Sequence, residues 1–197
     1  MAHRTSLTLA LLSAVSLAAC ATTSTPGAPT PKNLAGVSPE VYAIHQSFMT
    51  LDTHLDTPAF LDSARGYNIM ERHSYERDGS QVDYPRMIDG GLDGGFWAIY
   101  MGQGPLTPEG YQQVRDKALI RATSIQKMVA ANPGVFEIAL KSEDAKRIFD
   151  SGKKIVYLSM ENSYELGEDL SLLDSFYKLG VRMAGPVHNG TNQLADS

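Results

Sequence analysis

Cysteine is nearly absent from this sequence, with one in 197 residues, at position 20. A lone thiol excludes an intramolecular disulfide and any zinc site built on cysteines. Basic residues are also scarce: 17 Lys and Arg stand against 22 Asp and Glu, for a formal charge of −5. Without clustered Lys and Arg there is no basis for a nucleic-acid-binding surface. The apolar run near the N-terminus, residues 7–17, is too short to span a bilayer. No internal repeat is evident. What remains is globular composition, 43% hydrophobic and 20% charged, in a length suited to one domain or part of a larger one.

The first twenty residues read as a targeting segment, with Arg4 in a short basic start and Leu7 to Leu17 as its apolar stretch. Leu17-Ala18-Ala19-Cys20 resembles the lipobox of bacterial lipoproteins, in which the cysteine is acylated and becomes the new N-terminus. Cys20 is therefore the expected lipid-attachment site, and removal of Arg4 takes the charge to −6. An ordinary signal peptide with a stray cysteine is the other reading. Ala21, in place of an aspartate that would retain the protein at the inner membrane, favours an exported protein anchored in the outer membrane and facing the periplasm. Residues 21–37, rich in Thr, Pro, Ala, Ser and Gly, read as a disordered tether.

Order is expected from residue 38 onward. Ser38-Pro39-Glu40 opens a helix, with Ser38 at its cap. Residues 49–54 read as a strand, 61–82 as a long loop, and 96–101 as a second strand. Thr107-Pro108-Glu109 starts a helix carrying Tyr111, Val114, Ala118, Ala122, Ile125 and Val129 on one face. Residues 142–152 form another helix, 155–160 a third strand, 169–179 a helix, and 181–187 a fourth strand. Strands alternating with helices predict a parallel sheet of βαβ units. Four such strands are half of a (β/α)8 barrel, a fold that takes ~250 residues.

The chemistry-bearing residues fall at strand ends. His54 and Asp56 are spaced i, i+2, which puts both on one side of a strand and lets them offer a nitrogen and a carboxylate to one metal ion. Glu161 closes the run 155–160 and His188 follows the fourth strand. The C-terminal strand ends are the catalytic face of a (β/α) barrel. Taken singly, His54 and Asp56 read as a structural pair, Glu161 as a solvated acid and His188 as a turn residue. His45 is expected to pack on its helix, His73 to sit in a solvated loop, Trp97 and the tyrosines to fill the core or barrel wall, and Asp83 and Arg86 to pair in support of the second strand.

Together, Leu51 to Pro58, Asp83-Tyr84-Pro85-Arg86 with Gly90 to Tyr100, and Ile155 to Ser197 resemble the membrane (renal) dipeptidase family of zinc metallopeptidases. The last stretch is the most specific, with Met160-Glu161-Asn162, Leu179-Gly180-Val181-Arg182, His188-Asn189-Gly190-Thr191-Asn192 and Ala195-Asp196-Ser197 in the family's order. The resemblance implies the N-terminal half of a (β/α)8 TIM-like barrel, in a domain over residues 38–197. It implies a two-zinc centre in which His54 and Asp56 bind one ion, Glu161 bridges both, and His188 contacts the substrate and stabilises the tetrahedral intermediate. The implied reaction is hydrolysis of dipeptides, including those with D-configured or modified C-terminal residues, through a hydroxide bridging the metals. In family members two further histidine ligands and a proton-handling aspartate lie beyond the position matching Ser197. The 197-residue chain alone is accordingly expected to be inactive, and its two open sheet edges make a homodimer one expected arrangement. The alternative is a non-catalytic, lipid-anchored half-barrel that serves as a binding or interaction module.

Overall fold

The computed structural model describes residues 36–197, so the targeting segment, Cys20 and nearly all of the tether lie outside the described residues. The first element, α1 (Pro39–Gln46), begins as its sequence predicts: the Ser38 hydroxyl accepts from the Val41 amide and Pro39 sits in the first turn. The His45 side chain does not pack on this helix but reaches away from it, donating through Nε2 to the Gly90 carbonyl at 2.9 Å. There follow β1 (Leu51–Leu55), the short α2 (Pro58–Leu61) and α3 (Tyr75–Asp78), α4 (Tyr84–Gly90), β2 (Gly94–Tyr100) and the long α5 (Pro108–Ala131). Then come β3 (Phe136–Ile138), α6 (Ser142–Asp150), β4 (Lys154–Glu161), a 3-10 turn (Ser163–Leu166), α7 (Leu172–Lys178) and β5 (Val181–Gly185).

All five strands are parallel, one more than the sequence pattern predicts. β2 runs beside β4 from Gly94 opposite Ile155 to Tyr100 opposite Glu161, occupying one whole edge of that strand. The other edge is shared: Phe136 to Ile138 pair with Lys154 to Val156, and Val181 to Gly185 with Leu158 to Glu161. β1, β2, β4 and β5 thus follow one another in sequence order, as in half a barrel, with the three-residue β3 tucked beneath β5. β4 is buried from Lys154 to Met160 on both faces, which is why it reads as a continuous apolar run. Glycine is required where β2 meets its neighbours: a Cβ on Gly94 would lie 2.2 Å from the Ile155 carbonyl oxygen, and one on Gly95 2.4 Å from that of Asp52.

The core lies between this sheet and α5. Tyr111, Val114, Ala118, Ala122, Ile125 and Met128 are its buried residues, with Met128 in the place expected for the half-buried Val129. The small Ala118 and Ala122 let the helix approach the strands closely. Fully buried Trp97 meets Phe136 edge-on at 6.0 Å and 87°, and truncating an aromatic in such a place costs about 3–5 kcal/mol. At the N-terminal end of the sheet, Asp93 accepts from the Thr50 amide and faces the buried Lys154 ammonium at 3.3 Å. Burial pulls the Lys154 amine below its usual range, and Asp93 opposes that shift.

The 61–82 connection is more ordered than a solvated loop. Asp83, fully buried, caps α4 by accepting from the Arg86 amide, and its other oxygen takes the His73 amide and the Arg86 Nε. Asp83 and Arg86 are a structural pair, as expected, but they brace this connection and α4 rather than β2. His73 stacks on Tyr67 at 4.0 Å between centroids, with its nitrogens against Asp78 Oδ2 (2.7 Å) and the Asn68 carbonyl (2.9 Å). It is not the solvated histidine its polar surroundings in sequence suggest. Hydrogen bonds from Ser80, and to a lesser degree His73, hold the Asp78 carboxyl well below the usual carboxylate range.

Candidate metal centre

Three strands deliver the four residues singled out above to one place. The pairing of β1 with β2 is irregular between Asp52 and Leu55, and His54 sits inside that irregularity. Bulges of this kind re-aim side chains next to functional sites. The His54 amide donates to Asp52 Oδ1 at 2.9 Å, which fixes the local turn, and its ring Nε2 lies 3.2 Å from Asp56 Oδ1. Glu161 is the last residue of β4, level with Tyr100 of β2 and Gly185 of β5.

The Glu161 carboxylate faces two ways. Its Oε2 is 3.2 Å from His54 Nε2 and its Oε1 is 2.6 Å from His188 Nδ1, on the segment after β5. One donor atom from each of His54, Asp56 and Glu161 falls within 4.8 Å of the others, the only such cluster among the described residues. A four-coordinate ion with bonds of about 2.0–2.2 Å spaces its ligand atoms by ~3.3–3.6 Å, close to the 3.2 Å separations seen here. One imidazole and two carboxylates are also donors that suit zinc. The residues therefore fit a metal. Glu161 is the most enclosed of the three, with 22% of its side chain exposed, while His54 and Asp56 open to solvent.

His45 and His73 stand apart from the centre, with partners of their own. Two features of the site escape sequence reasoning. Tyr100, assigned above to packing, meets the His188 ring edge-on at 5.1 Å and 65°. Its place at the last position of a strand is the signal that could have marked it. Glu165, in the 3-10 turn after Glu161, is fully buried, and neither carboxylate oxygen has a hydrogen-bond partner. Burial pushes its carboxyl up to about 8.

Known proteins are similar to this chain in sequence and in fold. Dipeptidase ataJ of Aspergillus terreus is 27% identical over 152 residues, which is 75% of this chain and 37% of that protein. Dipeptidase tcpJ of Claviceps purpurea is 27% identical over 152 residues, 74% of this chain and 36% of that one. The chain thus spans less than two fifths of the length of these relatives. Among solved structures, the probable dipeptidase PvdM from Pseudomonas aeruginosa superposes with a TM-score of 0.67 at 30% identity, over 79% of this chain and 38% of that one. A metallopeptidase from Rhodobacter sphaeroides, solved with a phosphinate mimic of the dipeptide L-Ala-D-Ala, shares the fold with a TM-score of 0.62 at 24% identity, over 74% and 47% of the two chains. The family pattern of membrane dipeptidases covers residues 39–197, from the first helix through every strand end described above. The chain belongs to the membrane dipeptidase family, peptidase family M19.

Proposed function

We propose that the protein is a zinc-dependent dipeptidase whose centre takes two ions when complete, with His54, Asp56 and Glu161 among the ligands. One observation carries this reading: one donor atom each of His54, Asp56 and Glu161 converges within 4.8 Å at the strand ends, while the other Glu161 oxygen is directed elsewhere, to His188. Zinc held there would supply Lewis-acid polarisation of the scissile carbonyl and an activated water. His54 and Asp56, on the exposed side, leave room for a small substrate. His188, with Nδ1 against Glu161, has its Nε2 to turn to the peptide; in protonated form that nitrogen donates to the oxyanion of the tetrahedral intermediate. Tyr100 packs against the same ring and limits its rotation.

The test is dipeptide hydrolysis by the longest polypeptide the gene encodes, loaded with zinc. Turnover should vanish with chelator and return with zinc. His188→Ala should lower kcat by roughly 10²–10³, the usual cost of removing one oxyanion donor. A folded, zinc-loaded protein that hydrolyses no dipeptide would overturn the reading.

We further propose that Cys20 carries the lipid that holds the protein at the membrane, for which the Leu17-to-Cys20 motif is the support. No helix among the described residues is long and apolar enough to cross a membrane. One acyl chain binds a bilayer only marginally and two hold stably, so loss of the modification should be decisive. Cys20→Ala should move the protein to the soluble fraction or leave its precursor uncleaved. A processed Cys20→Ala protein still in the membrane fraction would refute the anchor.

A further inference from the structure

We propose that Asn162 and Asn192 form a two-amide clamp that positions His188 against Glu161. Asn162 directly follows Glu161 and is the only non-glycine residue with positive φ among those described (φ 58, ψ 66). It is 1% exposed, and its Nδ2 donates to the Met101 carbonyl, just past β2, at 2.8 Å. Its Oδ1 accepts from Asn192 Nδ2 at 3.2 Å. That same Asn192 nitrogen donates to the Pro186 carbonyl, just past β5, at 2.7 Å. Asn192 Oδ1 in turn accepts from the amides of Leu194 (2.8 Å) and Ala195 (3.3 Å). Asn192 is itself buried, and all four of its side-chain hydrogen-bonding positions are in use.

The consequence is geometric. The bond from Asn192 to Pro186 closes the segment 186–192 into a loop, and His188 hangs inside it. The bond to Asn162 fastens that loop beside the residue whose carboxylate His188 touches. Met101 joins the end of β2 to the same chain of amides. Three strand ends are thereby held level by two side chains that touch neither His54 nor Asp56. The left-handed backbone at Asn162 fits this role. Glycine would adopt it more easily, but only asparagine combines tolerance of that conformation with an amide that can both donate and accept. The two asparagines act through His188 and Glu161 and are positioning residues; the catalytic meaning of the clamp rests on the function proposed above, whereas its existence does not.

The experiment needs neither metal nor substrate. In the 197-residue chain, amide hydrogen exchange over residues 186–195 is measured together with the rate at which diethyl pyrocarbonate labels His188. Asn192→Asp keeps the acceptor for Leu194 and Ala195 but loses both donors. Asn162→Gly keeps the backbone conformation but loses the amide. Both variants should exchange the 186–195 amides and label His188 on the order of tenfold faster, the effect of leaving buried partners unpaired. Protection in β2 and β4 should stay as in the parent. Parent-like rates in either variant would overturn the clamp, because Asn192 would then serve only its own turn, or Asn162 only its backbone. Uniform loss of protection through β2 and β4 would overturn it as well, since the amides would then hold the sheet and not the loop.

Discussion

Replacing Glu161 with glutamine should abolish stable zinc binding while leaving the fold intact. The side chain is nearly isosteric, 22% exposed, and reaches the site from the end of a strand whose other residues are buried. What glutamine removes is charge and one acceptor. Glu161 contacts both His54 and His188, so the loss reaches the metal ligand and the substrate-contacting histidine at once. A carboxylate between cations compensates each of them, and a neutral amide compensates neither. Outer-shell substitutions alone weaken metal sites by about 10–100-fold; loss of a ligand oxygen should exceed that range. His54→Ala, at an exposed position, should cost less than Glu161→Gln. The measurement is zinc per chain after dialysis, with a thermal melt as control. Undiminished zinc in Glu161→Gln would remove the residue from the centre.

Glu165→Gln should stabilise the protein at alkaline pH, by an amount that grows as pH rises. The buried carboxyl has a folded-state pKa of about 8 against an ordinary value of 4.5, caused by desolvation and not relieved by any charged partner. Between those values the folded state keeps a proton that the unfolded state releases. Stability contributed by this group is therefore highest below pH 4.5, falls as pH rises through the window, and is flat again above about 8. By the linkage relation the full excursion is on the order of 3–5 kcal/mol, or roughly 10 °C in Tm for a domain of this size. Glutamine has no proton to lose, so its Tm against pH should be flatter and higher at pH 9. Near pH 4 the two proteins should melt within a few degrees of each other. Parallel Tm curves from pH 4 to pH 9 would show that Glu165 is solvated after all.

The parts of the fold legible in sequence are those whose burial is patterned. β4 announces itself by an apolar run, and α5 by its Thr107 cap and a repeating apolar face. β3 escapes because three residues are too few to show alternation. α4 carries an aspartate cap and a proline, yet it is only seven residues long and runs straight into Gly91, so its cap residues read instead as an isolated ion pair. The helix expected from residue 169 begins at Leu172, after turns held by Asp169 and Ser171. At the site, His54, Asp56, Glu161 and His188 could be found because strand ends collect chemistry, and the family motif gave their order. The clamp could not, because it consists of contacts between segments tens of residues apart, and Tyr100 is marked only by its place at a strand end. Nothing local marks Glu165 in Ser163-Tyr164-Glu165-Leu166 as a carboxyl that faces no water.

The shared edge of β4 also fixes the order in which this sheet can assemble on a ribosome. β2 and β3 share no backbone pairing; β4, made after both, must slot between them. A nascent chain that has emerged only as far as α6 can pair β1 with β2 and lay α5 upon them, while β3 has no strand to bond. At roughly 5–20 residues per second, the interval between completing β2 and completing β4 lasts several seconds. During that interval the Gly94 edge of β2 is an open template. The 24-residue α5, made inside this interval, is the element available to shelter the apolar face of the waiting strands.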